Sequence, residues 1–245
     1  MAETRVIMKR ELWGFFLSPV AYVVGAAFLF LPAFFWFPSL FLDTGGATEA
    51  RMSSYFQLMP WAMLVLASAL TMRQWAEERK IGTLELLLTY PVTTVQLVLG
   101  KFLASFAFIG ILLLLTISYP LTLSLFGNLD WGPVIGGYLG TWLLGAACLS
   151  FGLFASSITN DQIVSLIVSL VILLLMFLAP YLAVIVFGTT YPGLMEFFTV
   201  LSPASHFTSI TRGVVDLGDL LYYLVFCGFF LYLNAAVLEL KKRVG

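Results

Sequence analysis

The sequence predicts an all-α integral membrane protein with six transmembrane helices, and three observations carry that prediction. The chain of 245 residues is 61% hydrophobic and only 10% charged, whereas a soluble domain needs a polar shell to cover its core. Several apolar runs reach the ~20 residues that a helix needs to cross hydrocarbon, with no Asp, Glu, Lys or Arg inside them. The alternating ten-residue segments of an outer-membrane barrel are not seen.

Residues 3–17 set Val6, Leu12, Trp13 and Phe16 beside Arg5, Lys9 and Arg10, a mixture that predicts a short interfacial helix in the headgroup region. Glu3 and Glu11 among these basic residues, and the lack of a small-residue cleavage site, make the stretch a retained one rather than a signal peptide. After Ser18-Pro19 the first span runs from Val20 to Leu42, with Pro32 and Pro38 placed to kink it or fray its far end. DTGGATEARMSS is a polar loop. The second apolar run, Tyr55 to Met72, has Pro60 in its first turns and Trp61 near the interface, where amphipathic rings prefer to sit.

The third span, Val95 to Phe126, opens with Thr93-Thr94-Val95-Gln96, the spacing of a capping box. Asn128 to Pro133 reads as a turn. The fourth span, Val134 to Ser157, carries Gly136, Gly140, Cys148 and Gly152 at four-residue spacing, which predicts one shared face, and Gly132 extends the series backward. Small residues at that spacing let helices approach closely, and packing within the chain and a dimer seam both fit. Thr159-Asn160-Asp161-Gln162 repeats the capping-box spacing before the fifth span, Ile163 to Phe187. Tyr191 to Asp219 is too polar and broken to cross, with Ser202-Pro203 as an N-cap followed by Pro at the first helical position. The sixth span, Leu220 to Leu238, ends in Lys241, Lys242 and Arg243.

On a six-span topology, Arg5, Lys9, Arg10, Arg73, Arg79, Lys80, Lys101, Lys241, Lys242 and Arg243 fall on one side, leaving Arg51 and Arg212 on the other. The positive-inside rule then places both termini in the cytoplasm, as for a multi-pass protein of a bacterial inner membrane. No charged residue is expected inside a span, where each costs ~2.5–3.5 kcal/mol at a helix centre on the insertion scale. Ion-coupled carriers and voltage sensors need such groups, so energy for any transport has to enter from outside the bilayer.

The chain lacks the G-x-x-x-x-G-K-[ST] loop that cradles nucleotide phosphates, since Gly100-Lys101 is followed by Phe102 and has no upstream glycine at that spacing. No cofactor site is expected in this chain, and a separate ATPase is the natural energy source. Cys148 and Cys227 lie in apolar runs and suggest neither a disulfide framework nor a metal site. His206 is the only histidine, and ordinary hydrogen bonding accounts for it better than catalysis does. No catalytic or metal constellation emerges, and the balanced net charge of −1 gives no reason to expect nucleic acid.

The charges that remain gather between Met72 and Lys101. Arg73 and Glu77 stand four apart and Glu77 and Lys80 three apart, so the second span can continue as a helix laced by ion pairs until Gly82 breaks it. Thr83 can cap a new short helix with Glu85 in its first turn, and Leu84, Leu86, Leu87 and Leu88 give it an apolar surface. Tyr90-Pro91 stops it. Such a patch is either buried at the membrane surface or docked in a groove on another protein.

The run EERKIGTLELLLTYPVTTVQLVLGK resembles the coupling region of ABC-2-type permeases, most closely the gliding-motility-associated (GldF-like) branch. The likeness extends in order through FFLSPVAYVV, MRQWAEERKIGTLELLLTYPV, GLFASSITNDQIV and LSPASHFTSITRGVVDLGDLLYYL. It implies a single permease domain over residues 1–245 with type V exporter-like architecture: an interfacial helix at 3–17, a coupling helix at 82–91 and a re-entrant outer hairpin at 192–215. Glu77, Glu78, Arg79, Lys80, Gly82, Thr83, Leu84, Glu85, Leu87, Thr89 and Pro91 would serve coupling to the ATPase, with Asn160 and Asp161 in a second contact. The resemblance also implies a P-loop ABC ATPase subunit that binds ATP and Mg, a second permease copy or paralogue, and room for a membrane subunit with an extracytoplasmic domain.

The expected function is therefore the permease subunit of an ATP-driven exporter, the chain itself not being an enzyme. Uncharged, Phe-rich spans suit an amphiphilic or lipid-linked cargo better than a small ion. Ser105, Thr116, Ser118, Thr122 and Ser124 are candidate lining groups on the third span, although hydroxyls more commonly serve packing. The alternative is a mechanical transmitter that drives an extracytoplasmic partner without passing a substrate.

Overall fold

The computed structural model describes residues 2–42, 49–50, 52–84, 92–187, 191–213 and 216–244. In chain order it forms α1 (Ala2–Leu17), α2 (Pro19–Leu42), α3 (Ser53–Thr71), α4 (Ala76–Ile81), α5 (Thr94–Thr116), α6 (Ser118–Phe126), α7 (Trp131–Ile158), α8 (Gln162–Phe187), α9 (Pro192–Leu201), α10 (Pro203–Ile210) and α11 (Leu217–Val244). Two residues, Glu49–Ala50, pair in parallel with Asn128–Leu129 and tie the segment after α2 to the turn after α6. Six rods are long and apolar enough to cross a membrane: Pro19–Phe37, Ser53–Ile81, Thr94–Leu125, Trp131–Ile158, Gln162–Val186 and Leu217–Lys242. The fold is all-helical, with the six spans that composition predicts.

Burial divides these rods into two groups. Helix α7 is 78% buried and packs on α3, α5, α8, α10 and α11, while the spans of α8 and α11 are each only 22% buried. Helices α3, α5 and α7 therefore form the core, and α2, α8 and α11 turn their apolar faces outward. Helix α1 lies along α5 at the end that also carries α4, called here the basic end. Helices α9 and α10 pack on α7 and α8 at the opposite, hairpin end.

Local chemistry sets several boundaries. The Thr93 hydroxyl accepts from Gln96 N–H while the Gln96 side chain accepts from Thr93 N–H, so the expected capping box forms. The second box does not. The Thr159 hydroxyl donates back to the Ala155 carbonyl, and Asp161 instead accepts from Ile163 N–H at 2.8 Å. Ser202 occupies an N-cap position, but its hydroxyl makes no capping bond. Helix α7 begins at Trp131 rather than Val134, because Asp130 caps it by accepting from Gly132 N–H. The third span is interrupted at Ile117. Pro120 has no N–H to offer the Thr116 carbonyl, which accepts instead from the Tyr138 hydroxyl at 2.8 Å. Helix α2 continues past both of its prolines.

The glycine series on α7 meets two different neighbours. A Cβ on Gly136 would lie 2.6 Å from the Ile210 carbonyl, and one on Gly140 would lie 3.2 Å from Ile210 Cγ2, so both admit α10. At Gly132 the nearest atom is the capping carboxylate of Asp130, and Gly152 faces Thr71 of α3. Four residues turn a helix by about 400°, so each step drifts about 40°. The three steps from Gly140 to Gly152 therefore carry the series onto another face.

Candidate coupling site

The site begins where α3 stops. Residues 72–75 turn out of the helix, and Ser156 of α7 holds the break: its hydroxyl accepts from Trp75 N–H and Ala76 N–H at 3.2 and 3.3 Å and lies 3.3 Å from the Met72 carbonyl. Ser156 is fully buried, so the backbone groups freed by the turn find their partner inside the protein. The expected continuous helix is thus two helices. Arg73 makes the expected i,i+4 pair, bidentate with Glu77 at 2.8 and 3.0 Å, and also donates to Ser18. Lys80 turns to Asp161 at 3.5 Å rather than to Glu77.

Arg79 joins the two stretches that the sequence leaves 80 residues apart. Its guanidinium donates to the Ser157 and Thr159 carbonyls, each at 2.6 Å, and to the Asn160 side chain at 2.7 Å. Lys241 of α11 donates to the same Ser157 carbonyl at 2.8 Å. Two cations thereby occupy the C-terminal end of α7, where helix carbonyls lack intrahelical donors. The Asp161 carboxyl is held below its ordinary range, first by the Ile163 N–H and then by Lys80. Ile81, Ile158 and Ile163, next to these residues in the chain, have 53–67% of their surface exposed.

A second cluster lies beneath α4. Lys101, two turns into α5, has only 2% of its side chain exposed and donates to Glu78 at 2.8 Å, with Glu11 of α1 at 3.2 Å. Its ammonium also sits 5.0 Å from the centroid of the Trp75 ring, and Arg10 lies 3.1 Å from Glu11 and 3.9 Å from Glu78. The expectation of no charge within a span therefore fails at Lys101, which is tolerated because carboxylates accompany it. Its neighbour Gly100 explains the dipeptide: a Cβ there would lie 2.7 Å from Ile7, so glycine lets α1 seat on α5.

The expected coupling helix at 82–91 is described only to Leu84. Gly82 ends α4 with φ 78° in the left-handed region that glycine adopts freely. The Thr83 hydroxyl donates back to the Glu78 carbonyl at 3.2 Å, and the N–H groups that it would cap lie outside the described residues. Leu84 is 6% exposed and packs in the chain's own core, so it adds nothing to an exposed apolar surface. Glu85, Leu86, Leu87, Leu88, Thr89 and Pro91 lie outside the described residues, as do much of the polar loop after α2 and Arg51.

Other candidates resolve more simply. The hydroxyls of Ser105, Thr116, Ser118, Thr122 and Ser124 all donate to carbonyls three or four residues back in the same span, that of Ser118 reaching Leu115 across the break at Ile117. None of the five lines the cavity of about 1480 Å³ at the hairpin end, which is bounded by α3, α7, α8, α9 and α10 and has Gln57, Asp130, Thr208 and Arg212 among its polar groups. His206 bonds Asp219 at 2.6 Å and the Val200 carbonyl at 3.0 Å, pinning α10 to α11 and α9. No group of three or more potential metal ligands occurs among the described residues.

Lys101, Glu11, Ser156 and the three isoleucines escape sequence reasoning because their partners come from other elements. The basic residues Arg79 and Lys80 were visible, but not what they hold. In comparison with known families, the model for ABC-2 family transporter proteins matches residues 5–238. No curated protein matches the sequence.

Proposed function

Because the chain belongs to the ABC-2 family transporter proteins, we propose that it is the membrane subunit of an exporter and that the α4 end of the bundle receives the work of a separate ABC ATPase. Membership in the family carries the permease assignment, the ATPase partner and a dimeric membrane arrangement. The assignment of the input surface rests on one observation: Arg79 binds residues 157–160, so the two expected contact segments form one surface. Exposed Ile81, Ile158 and Ile163, neighbours in the chain of Lys80, Asn160 and Asp161, put apolar side chains at the same end as polar ones, a mixture that suits a protein partner. The concentration of basic residues at this end supports a cytoplasmic position for it and for both termini.

The cargo reading rests on the cavity at the hairpin end, whose walls mix aromatic, apolar and hydroxyl groups. Such a lining suits an amphiphile, and a cavity of that size favours passage of a substrate over purely mechanical transmission. Residues 192–215 act as the re-entrant outer hairpin on this reading. The order of the matching sequence blocks supports the gliding-motility-associated branch, in which a further membrane subunit supplies the extracytoplasmic domain.

The test is co-purification of the cognate ATPase with Ile81→Asp, Ile163→Asp and the pair together. Burying an unpaired carboxylate in the centre of an interface costs at least about 1.4 kcal/mol, so each single variant should lower recovered ATPase about tenfold or more while membrane insertion is unchanged. Undiminished recovery with the double variant would reject this surface as the docking site.

A further inference from the structure

His206, the only histidine of the chain, stands where α9, α10 and α11 meet, and both of its ring nitrogens face acceptors. Nε2 lies 3.0 Å from the Val200 carbonyl and Nδ1 lies 2.6 Å from Asp219 Oδ1. A carbonyl oxygen can only accept, so Nε2 carries a hydrogen. A neutral imidazole has one N–H, which would leave the Nδ1 lone pair against a carboxylate oxygen. The contact is a bond only when a second proton lies between the two groups.

The surroundings place that proton on the ring. Val200 is next to last in α9, whose final carbonyls form the negative end of the helix dipole and favour a cation. Asp219 lies in the first turn of α11, where the positive end favours an ionised carboxylate. The Tyr222 ring stacks on the imidazole with centroids 3.9 Å apart and planes at 20°, a face-on arrangement that attracts a cation. His206 is the one ion-pair partner of Asp219 among the described residues, so the carboxylate has no other cation to offset its burial. Of the titratable groups on the elements packed around α10, Asp219, Tyr222 and Tyr223 face the ring. Tyr138 and Cys148 of α7, Tyr181 of α8 and Glu196 of α9 form no hydrogen bond or ion pair with it.

We propose that His206 and Asp219 form a proton-operated latch on the wall of the hairpin-end cavity. Helix α10 lines that cavity with Ala204, Ser205, Phe207 and Thr208. Helix α11 fastens the α9–α10 hairpin through the His206–Asp219 pair and through two tyrosine hydroxyls, Tyr222 donating to the Leu201 carbonyl and Tyr223 to the Pro203 carbonyl, each at 2.7 Å. Tyrosine hydroxyls keep their hydrogens near neutral pH, so the pH-sensitive tie of the three is His206–Asp219. Where a free imidazole is neutral and a free carboxylate ionised, opening the latch sends one proton to bulk water. Acidity therefore fastens the wall and rising pH loosens it, with the opening constant growing up to tenfold per pH unit. Which compartment acts on the latch depends on the outer placement of the hairpin proposed above. The shared proton follows from the contacts alone, and its test contains neither ATPase nor cargo, so the two fail separately.

The test is nitrogen NMR of the full chain in phosphatidylcholine nanodiscs, carrying isotopically labelled histidine, which reports His206 alone. At about pH 8, where a free imidazole is neutral, both ring nitrogens should carry hydrogens in the parent, and Nδ1 should lose its hydrogen in Asp219→Asn. Native-state hydrogen exchange of the α10 peptide then reads the opening. Comparing parent with Asp219→Asn at the same pH cancels the intrinsic exchange rate. From about pH 7 to about pH 8 the parent's excess protection in α10 should fall severalfold, towards the tenfold limit for one proton, while the ratio for α7 peptides stays constant. An unprotonated Nδ1 in the parent at about pH 8, or an α10 ratio that does not change between the two pH values, would overturn the latch. Should Asp219→Asn fail to fold, the parent's nitrogen spectrum decides alone.

Discussion

Replacing Lys101 by Met probes how the basic end is assembled, and its cost can be worked from the contacts. Met preserves most of the side chain's length but removes the ammonium that lies 2.8 Å from Glu78 and 3.2 Å from Glu11. Two largely covered carboxylates are then left together, with only the exposed guanidinium of Arg10 to compensate. Removing one partner of a buried ion pair costs about 3–5 kcal/mol. Arg10 keeps the expected loss near the lower figure, about 3 kcal/mol, even after the cation–π contact with Trp75 is included. For a cooperative unit of this size each kcal/mol shifts the midpoint by about 2–4 °C, so fluorescence-monitored melting in one fixed detergent should show a fall of about 6–12 °C. Adding Glu78→Gln and Glu11→Gln to Lys101→Met should recover most of the loss, because replacing a whole buried ion cluster is often nearly neutral. A single variant that melts within about 2 °C of the parent would refute the cluster's structural role. A triple variant less stable than the single would refute the assignment of the loss to unpaired carboxylates.

Tyr138→Phe should lower stability by about 1–3 kcal/mol in the same melting assay, because it orphans the Thr116 carbonyl that Pro120 cannot serve; an unchanged midpoint would show that another donor replaces the hydroxyl. Asp161 has a folded pKa below its ordinary 3.8, so its stabilising contribution is complete above that value and is lost as pH falls through the lower one. Asp161→Asn should therefore flatten the loss of stability on acidification below about pH 4 and leave the slope between about pH 6 and 8 unchanged; a steeper loss in acid would reverse the sign of the argument.

The six spans were legible because each reflects a single constraint, the need for a run of apolar residues long enough to cross hydrocarbon. The Thr93–Gln96 box was legible for a similar reason, since its donors and acceptors lie three residues apart on one helix. Lys101 was not. Its partners, Glu78 and Glu11, stand 23 and 90 positions away, and only the seating of α1 at Gly100 brings them together. Leu84 failed in the opposite direction: its apolar character was read correctly, but the surface it covers belongs to the same chain. The second capping box shows the limit of spacing alone. Thr159 and Asp161 both have oxygens near the start of α8, and the choice between them depends on the Thr159 hydroxyl being drawn back to Ala155.

The strengths of the polar contacts around α4 are uneven, and the unevenness has a direction. Towards α5 the Glu78–Lys101 pair is largely buried, and towards α7 the Ser156 bonds are buried and the two Arg79 bonds to carbonyls are short and partly covered. Towards α8 the polar tie among the described residues is Lys80 with Asp161, 3.5 Å apart and substantially exposed on both sides, a pair whose attraction solvent largely screens. A load applied to α4 is therefore carried first into α5 and α7, two of the three core spans, while the joint with α8 is the one that yields. Ile81 lies on the α4 side of that joint and Ile163 on the α8 side. A partner gripping both isoleucines would bear on the weak joint directly, and could change the spacing of α8 from the core without first breaking a buried bond.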